Sequence, residues 1–144
     1  MKIIFEQPKD GDEDKIIVSC RHVTPEIMQL LDRITNQGSL IGYIDNKIYK
    51  VNPSDIYYIE TVDRMTFLYA EGYVYESKQK LYELEEYLRP WNFLRIGKSC
   101  IANLEKIKSV SPMLNRRFDV VLANGERVIV SRQYVNNLKE YLDI

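Results

Sequence analysis

The sequence predicts a mainly β fold with a few short helices, an α+β chain in which strand dominates. Two observations carry this. From Leu40 onward, apolar residues recur at strand spacing in short runs separated by turns at Asp45-Asn46, Glu71-Gly72 and Asn124-Gly125, the last a favoured hairpin turn because both its residues tolerate positive φ. Helical spacing is confined to three short segments, each opening on a Thr or Ser able to cap free backbone N–H groups.

Taken in order, Lys2 to Phe5 and Lys15 to Cys20 are β-rich runs on either side of the turn formers Gln7-Pro8-Lys9-Asp10-Gly11-Asp12, and they read as paired strands. Thr24-Pro25 starts a helix, Pro25 standing where its missing N–H costs nothing. Ile27, Leu30, Leu31 and Ile34 form its apolar stripe, and Gly38 is placed to end it. Strands are predicted at Leu40 to Ile44, Lys47 to Val51, Ile56 to Thr61, Thr66 to Ala70 and Tyr73 to Glu76. Ser77 caps a helix through about Leu88, with Leu81, Leu84 and Leu88 on one side and Pro90 ending it. Phe118 to Leu122 and Arg127 to Val130 close around Asn124-Gly125. Ser131 then opens a terminal helix carrying Val135, Leu138 and Leu142.

With 144 residues and 45% apolar content, the chain fits one ordinary domain, or a compact domain with an extension. No apolar run approaches the roughly 20 residues of a membrane span, and the start lacks the apolar core of a secretion signal, so no membrane insertion and a cytoplasmic location are expected. Cys20 and Cys100 lie far apart with His22 the sole histidine, which suggests neither a disulfide framework nor a metal site. A redox role for Cys100 would require an exposed thiol of lowered pKa.

The net charge of −1 conceals an asymmetry. Residues 1–88 carry 10 basic against 16 acidic side chains, and residues 89–144 carry 10 against 5. A local positive patch, rather than the total, governs phosphate binding. Catalysis finds no support: His22 sits beside Arg21 before a helix, and no G-x-S-x-G, H-E-x-x-H or phosphate-cradling glycine loop is present. Glu83, Glu85 and Glu86 read as the solvated side of a leucine-backed helix. The strand tyrosines, among them Tyr57, Tyr58 and Tyr69, suit packing in a half-buried sheet better than base stacking. No catalytic residue, metal ligand or cofactor is expected.

Gly97-Lys98-Ser99 differs in kind. A glycine permitting close backbone approach, a lysine for phosphate or guanine and a hydroxyl form a compact contact set in a turn between Ile96 and Ile101. With Ile59-Glu60-Thr61 and Asp63-Arg64-Met65-Thr66 before it, Phe93-Leu94-Arg95-Ile96 leading into it, Asn103 and Asn124-Gly125 after it, and Ser131-Arg132-Gln133 closing the series, the chain resembles the LytTR family of bacterial DNA-binding domains from about Lys47 to Leu142. The resemblance implies an elongated core of packed small β-sheets whose loops enter successive major grooves from one face and bend the duplex, unlike a recognition helix.

Carried over position by position, the resemblance implies base-edge contacts at Arg64 or Thr66, at Lys98 and at Gln133. Phosphate contacts fall to Ser99, Arg132 and to Arg116 or Arg117. Gln133 stands where the family often has arginine, and glutamine suits adenine where arginine suits guanine. Arg95 is expected to brace loops and Asn103 to end a turn. The domain organisation expected is an N-terminal β-β-α extension over 1–39, packed on a DNA-binding domain over 40–144. The extension is too short for a phosphoreceiver domain, which many relatives carry, so a stand-alone transcriptional regulator is expected, without an aspartyl-phosphate switch. Its partners would be double-stranded DNA with promoter repeats and a second copy, a homodimer at least on DNA; a membrane protein is a conceivable regulator. The alternative is a protein-interaction module acting with a membrane or signalling partner.

Overall fold

The computed structural model describes residues 2–35 and 39–144, with side chains for all of these except 32–35. Helix α1 spans Pro25–Thr35. The Ile27 N–H donates to Thr24 Oγ1 at 3.3 Å and the Met28 N–H to the Thr24 carbonyl at 2.9 Å, so Thr24 caps and Pro25 begins the helix as its sequence dictates. Ile34 and Gly38, expected to continue and end this segment, lie outside the described side chains and residues.

Before α1 the expected strands do not form. The Lys9–Asp12 turn closes through a 3.0 Å bond from the Asp12 N–H to the Lys9 carbonyl, yet the flanking runs carry no ladder and Ile3, Phe5, Ile16 and Ile17 remain exposed. A lone two-stranded hairpin is marginal without a third layer to cover its apolar side chains. In the described residues nothing supplies that layer.

From Leu40 the chain builds a seven-stranded antiparallel sheet: β1 Leu40–Ile44, β2 Lys47–Val51, β3 Ile56–Val62, β4 Met65–Ala70, β5 Tyr73–Ser77, β6 Phe93–Gly97 and β7 Cys100–Asn103, in the order β2-β1-β5-β4-β3-β7-β6. A three-stranded sheet follows, β8 Ile107–Pro112, β9 Phe118–Leu122 and β10 Arg127–Val130, ordered β10-β9-β8. The fold class is as predicted. The first sheet is larger than the small sheets the resemblance implied, because β1 and β5 pair at Tyr43↔Glu76 and join what reads as two hairpins. Strand β8 is not legible in sequence, since Ser109, Ser111 and Pro112 interrupt its alternation; as the edge of its sheet it tolerates a proline.

Helix α2, Leu81–Leu88, packs Leu81, Leu84 and Leu88 on one face of the large sheet, against Ile56, Ile59 and Leu68. Its start differs from the sequence reading. Ser77 ends β5 and its Oγ accepts from the Gln79 N–H at 3.2 Å, while the helix opens at Lys80, whose N–H donates to Glu83 Oε1 at 3.2 Å. On the same face Gly42 is obligatory: a Cβ there would lie 2.6 Å from Tyr75 Cβ. Tyr75 thus crosses β1 to meet Tyr49, ring centroids 5.5 Å apart.

The second core lies on the opposite face at the β6–β7 end. Ile96, Ala102 and Tyr57 meet Val120, Val130 and Leu138, the last from helix α3, Val135–Leu142. The Asn124-Gly125 hairpin forms, but only Gly125 has positive φ, at 89°. It is therefore a tight turn completed by a left-handed glycine, with Asn124 Oδ1 accepting from the Glu126 N–H at 3.0 Å.

Asn103 does the structural work expected of it. It is buried, its Nδ2 donates to the Ile56 carbonyl at 2.8 Å and its Oδ1 accepts from the Glu105 N–H at 3.0 Å. Asn103→Ala should cost about 1–3 kcal/mol, because the Ile56 carbonyl would be left buried and unpaired. In urea unfolding the midpoint should fall with the slope unchanged. No helix of the described residues is long and apolar enough to cross a membrane.

Candidate nucleic-acid interface

Antiparallel pairing brings the three matched segments to one end of the sheets. Strand β3 runs up into the Asp63-Arg64 turn, and Glu60↔Cys100 pairing sets the β6–β7 turn, Lys98-Ser99, beside it. The Thr61 N–H donates to the Ser99 carbonyl at 2.9 Å, lacing the first turn to the second. The Ser131 N–H donates to the Ile96 carbonyl at 2.8 Å, lacing the second to the third. Val130↔Phe118 pairing then places the β8–β9 connection, with Arg116 and Arg117, next to Ser131 and Arg132. Segments some 70 residues apart in the chain become neighbours through two backbone bonds and the strand register.

Each turn has its own local cause. Asp63 and Arg64 both take positive φ, 51° and 65°, the left-handed pair that matches the twist of a hairpin. Arg64 is exposed at its tip. The second turn is held from beneath by Arg95, whose Nε donates to the Gly97 carbonyl at 2.7 Å and whose Nη2 donates to the Lys98 carbonyl at 2.5 Å. Its Nη1 reaches Glu85 of α2 at 3.3 Å. The bracing role expected of Arg95 is what the geometry gives, and it turns Lys98 and Ser99 outward to solvent. Gly97 is less constrained than the sequence implied: a Cβ there would sit 3.5 Å from Ser131 Oγ, an ordinary contact.

Thr66 departs from its expected role. It is buried, and its Oγ1 lies 3.2 Å from Thr61 Oγ1 across the β3–β4 pair. Strand alternation puts residue 66 on the same side as Leu68, so the hydroxyl locks the turn's base rather than reaching a base edge. Of the first segment, Arg64 alone among the expected contact residues is free to do so. Gln133 is exposed in the 3₁₀ turn Arg132–Tyr134 that leads into α3.

Beside the third segment lies a groove of about 490 Å³ lined by Arg116, Arg117, Phe118, Arg132 and Lys139 among others. Arg117 Nε is buried there without a hydrogen-bond partner. Lys139, poised over the Phe118 ring at 5.6 Å, was missed in sequence. Its only signal is i,i+3 spacing from Asn136 on α3, which reads as an ordinary solvated helix side. Among the described residues no ion pair neutralises Arg64, Lys98, Arg116, Arg132 or Lys139. The end carrying the three turns is therefore electropositive although the chain as a whole is not.

Burial, with Glu60 adding to it and Arg95 opposing, pushes the Cys100 thiol up to about 12. It stays protonated at neutral pH and lacks the thiolate character a redox sensor needs. Of the seven strand tyrosines from Tyr43 to Tyr75, only Tyr73 is exposed. Tyr58 and Tyr69 stack on each other at 4.3 Å, which leaves no open stacking platform there. Among the described residues no cluster of three or more His, Cys, Asp or Glu is placed to hold a metal.

Known proteins resemble this arrangement. A solved LytTr DNA-binding domain from Bacillus cereus superposes with a TM-score of 0.71 at 28% identity, over 76% of this chain and all of that one. An Enterococcus faecalis protein named sensory transduction protein LytT is 34% identical over 100 residues, 69% of this chain but only 41% of that protein. A Staphylococcus aureus protein named as an HTH-type transcriptional regulator is 30% identical over 118 residues, 82% of this chain and 80% of that one. The helices described here are separated by strands and form no helix-turn-helix pair. Residues 46–143 match the LytTr DNA-binding domain family, and with the loop-bearing antiparallel fold that superposes on a solved member, the chain belongs to that family of non-enzymatic DNA-binding domains.

Proposed function

We propose that this chain is a sequence-specific transcriptional regulator that reads duplex DNA with three turns rather than with a helix. The observation that carries the reading is the lacing of the Asp63-Arg64, Lys98-Ser99 and Arg132-Gln133 segments into one electropositive end. Turns projecting side by side can enter grooves that a flat sheet surface cannot. Arg64, Lys98 and Gln133 take the base edges. Ser99, Arg132 and the groove of Arg116, Arg117 and Lys139 take phosphates, the unpartnered Arg117 Nε offering a donor within that groove. Promoter repeats would be occupied by paired copies, inside the cell.

The reading is tested at Gln133. Arginine offers donors only and suits guanine, whereas glutamine offers a donor and an acceptor and suits adenine. Selection from randomised duplexes should show Gln133→Arg shifting preference toward guanine at one position per half-site, a discrimination of about 1–3 kcal/mol. Unchanged preferences with uniformly tighter binding would assign residue 133 to phosphate. Absence of any selected sequence for either protein would overturn the reading as a whole.

A further inference from the structure

One face of the large sheet is only half covered. Strand register places Tyr58, Ala102 and Leu94 on the side taken by the second core, and on the same side, further out, Phe67, Val74, Ile41 and Ile48. Ile41 and Val74 are about half exposed and Ile48 is 67% exposed, although neighbours in a sheet face normally shield one another. Glu60, Glu76 and Lys50 stand on that side among them, so the open strip is mixed, with Ile41, Ile48 and Val74 as branched apolar side chains that suit an interaction surface. It ends at β2, the outer strand, whose far edge has no strand beside it among the described residues.

The same chain holds an unpaired apolar segment. Ile16 and Ile17 are 71% and 74% exposed, Phe5 is 94% exposed, and all three stand in chain without a ladder. Charge matches the two surfaces. Residues 2–20 carry Glu6, Asp10, Asp12, Glu13 and Asp14 against Lys2, Lys9 and Lys15, a balance of −2, and the open strand carries Lys47 and Lys50, exposed and free of ion pairs among the described residues. Lysines on an edge strand repel indiscriminate pairing, but they favour a segment of net negative charge.

We infer that the N-terminal segment, residues 2–20, is an exchange arm that adds to β2 of a second copy and covers that copy's exposed sheet face. Ile16, Ile17 and Val18 have the branched side chains of a strand, and β2 offers the unpaired backbone groups that strand addition needs. Reciprocal exchange closes a two-fold dimer and satisfies both edges at once. The surface involved is formed by β1, β2 and β5, not by the three turns, so the inference does not depend on the reading of DNA.

Sedimentation of the full chain at micromolar concentration tests it. The wild-type protein should be a dimer. Ile17→Asp on the arm and Ile48→Asp on the face should each weaken the dimer about 100-fold, since each puts a charge in place of an apolar side chain that the contact would bury. Both positions are exposed in the single chain, so both variants should fold, and both should retain wild-type affinity for an isolated half-site. A wild-type monomer overturns the inference, whether the arm is free or folded back on its own sheet. So does a dimer that resists either substitution.

Discussion

Raising salt from about 50 to about 200 mM is expected to weaken binding of this chain to duplex DNA about 500-fold, a slope of log K on log salt near −4.5 if about five phosphates are neutralised. The cations at the end built by the three turns, Arg64, Lys98, Arg116, Arg132 and Lys139, carry no intramolecular ion pair among the described residues. Association with DNA should therefore release counterions without first breaking a salt bridge. Single substitutions divide the set. Lys98→Ala should lose about 1–3 kcal/mol of affinity and relax one base position if it reads a base, whereas Arg132→Ala should weaken all sequences alike and reduce the slope by about one. Glu83→Ala, on the exposed side of α2, should leave both unchanged. Fluorescence anisotropy across a salt series measures all of this. A slope near zero, or equal losses from Lys98→Ala and Glu83→Ala, would place DNA on another face.

The second large effect is expected at Arg95, which holds the Lys98-Ser99 turn from beneath. Its side chain is about one-fifth exposed, and the guanidinium donates to the carbonyls of Gly97 and Lys98 while pairing with Glu85. Arg95→Ala removes a planar fork that holds two carbonyls of one turn, and it strands Glu85 without its cation. A stability loss of about 2–4 kcal/mol is expected, since hydrogen bonds to charged groups exceed neutral ones and a half-buried partner is left behind. DNA affinity should fall about tenfold or more under conditions where the variant is folded, because Lys98 and Ser99 lose their support. Arg95→Lys should recover part of the stability but little of the affinity, for an ammonium cannot span both carbonyls in the guanidinium geometry. Urea unfolding and binding at fixed salt separate the two effects. An Arg95→Ala protein as stable as wild type but unable to bind would make Arg95 a direct DNA contact instead.

These two predictions draw on different sources. Lys98 is visible in sequence as part of a spaced pattern, because residue type and order suffice to list side chains able to meet phosphate or a base. Arg95 is visible too, but its three partners are not, since Glu85 comes from a helix ten residues earlier and the carbonyls face inward only because β6 turns there. Lys139 and the Arg117 groove were illegible for a similar reason. The groove exists only where β9 meets β10 and α3 returns over them.

What the sequence determined by itself is local: strand runs and their turns from Leu40 onward, the Thr24-Pro25 helix start, the leucine stripe of α2, and the family pattern from its ordered motifs. These rest on interactions within a few residues, which spacing and turn chemistry encode directly. Tertiary structure alone decided the rest. Strand alternation turned Thr66 inward to Thr61, and two long-range backbone bonds, Thr61 to Ser99 and Ser131 to Ile96, gathered three distant turns into one interface. The N-terminal runs show the same division from the other side. Their β-branched residues have strand propensity and a formed turn between them, but propensity does not make a strand until another surface covers its apolar side, and in the described residues none covers it.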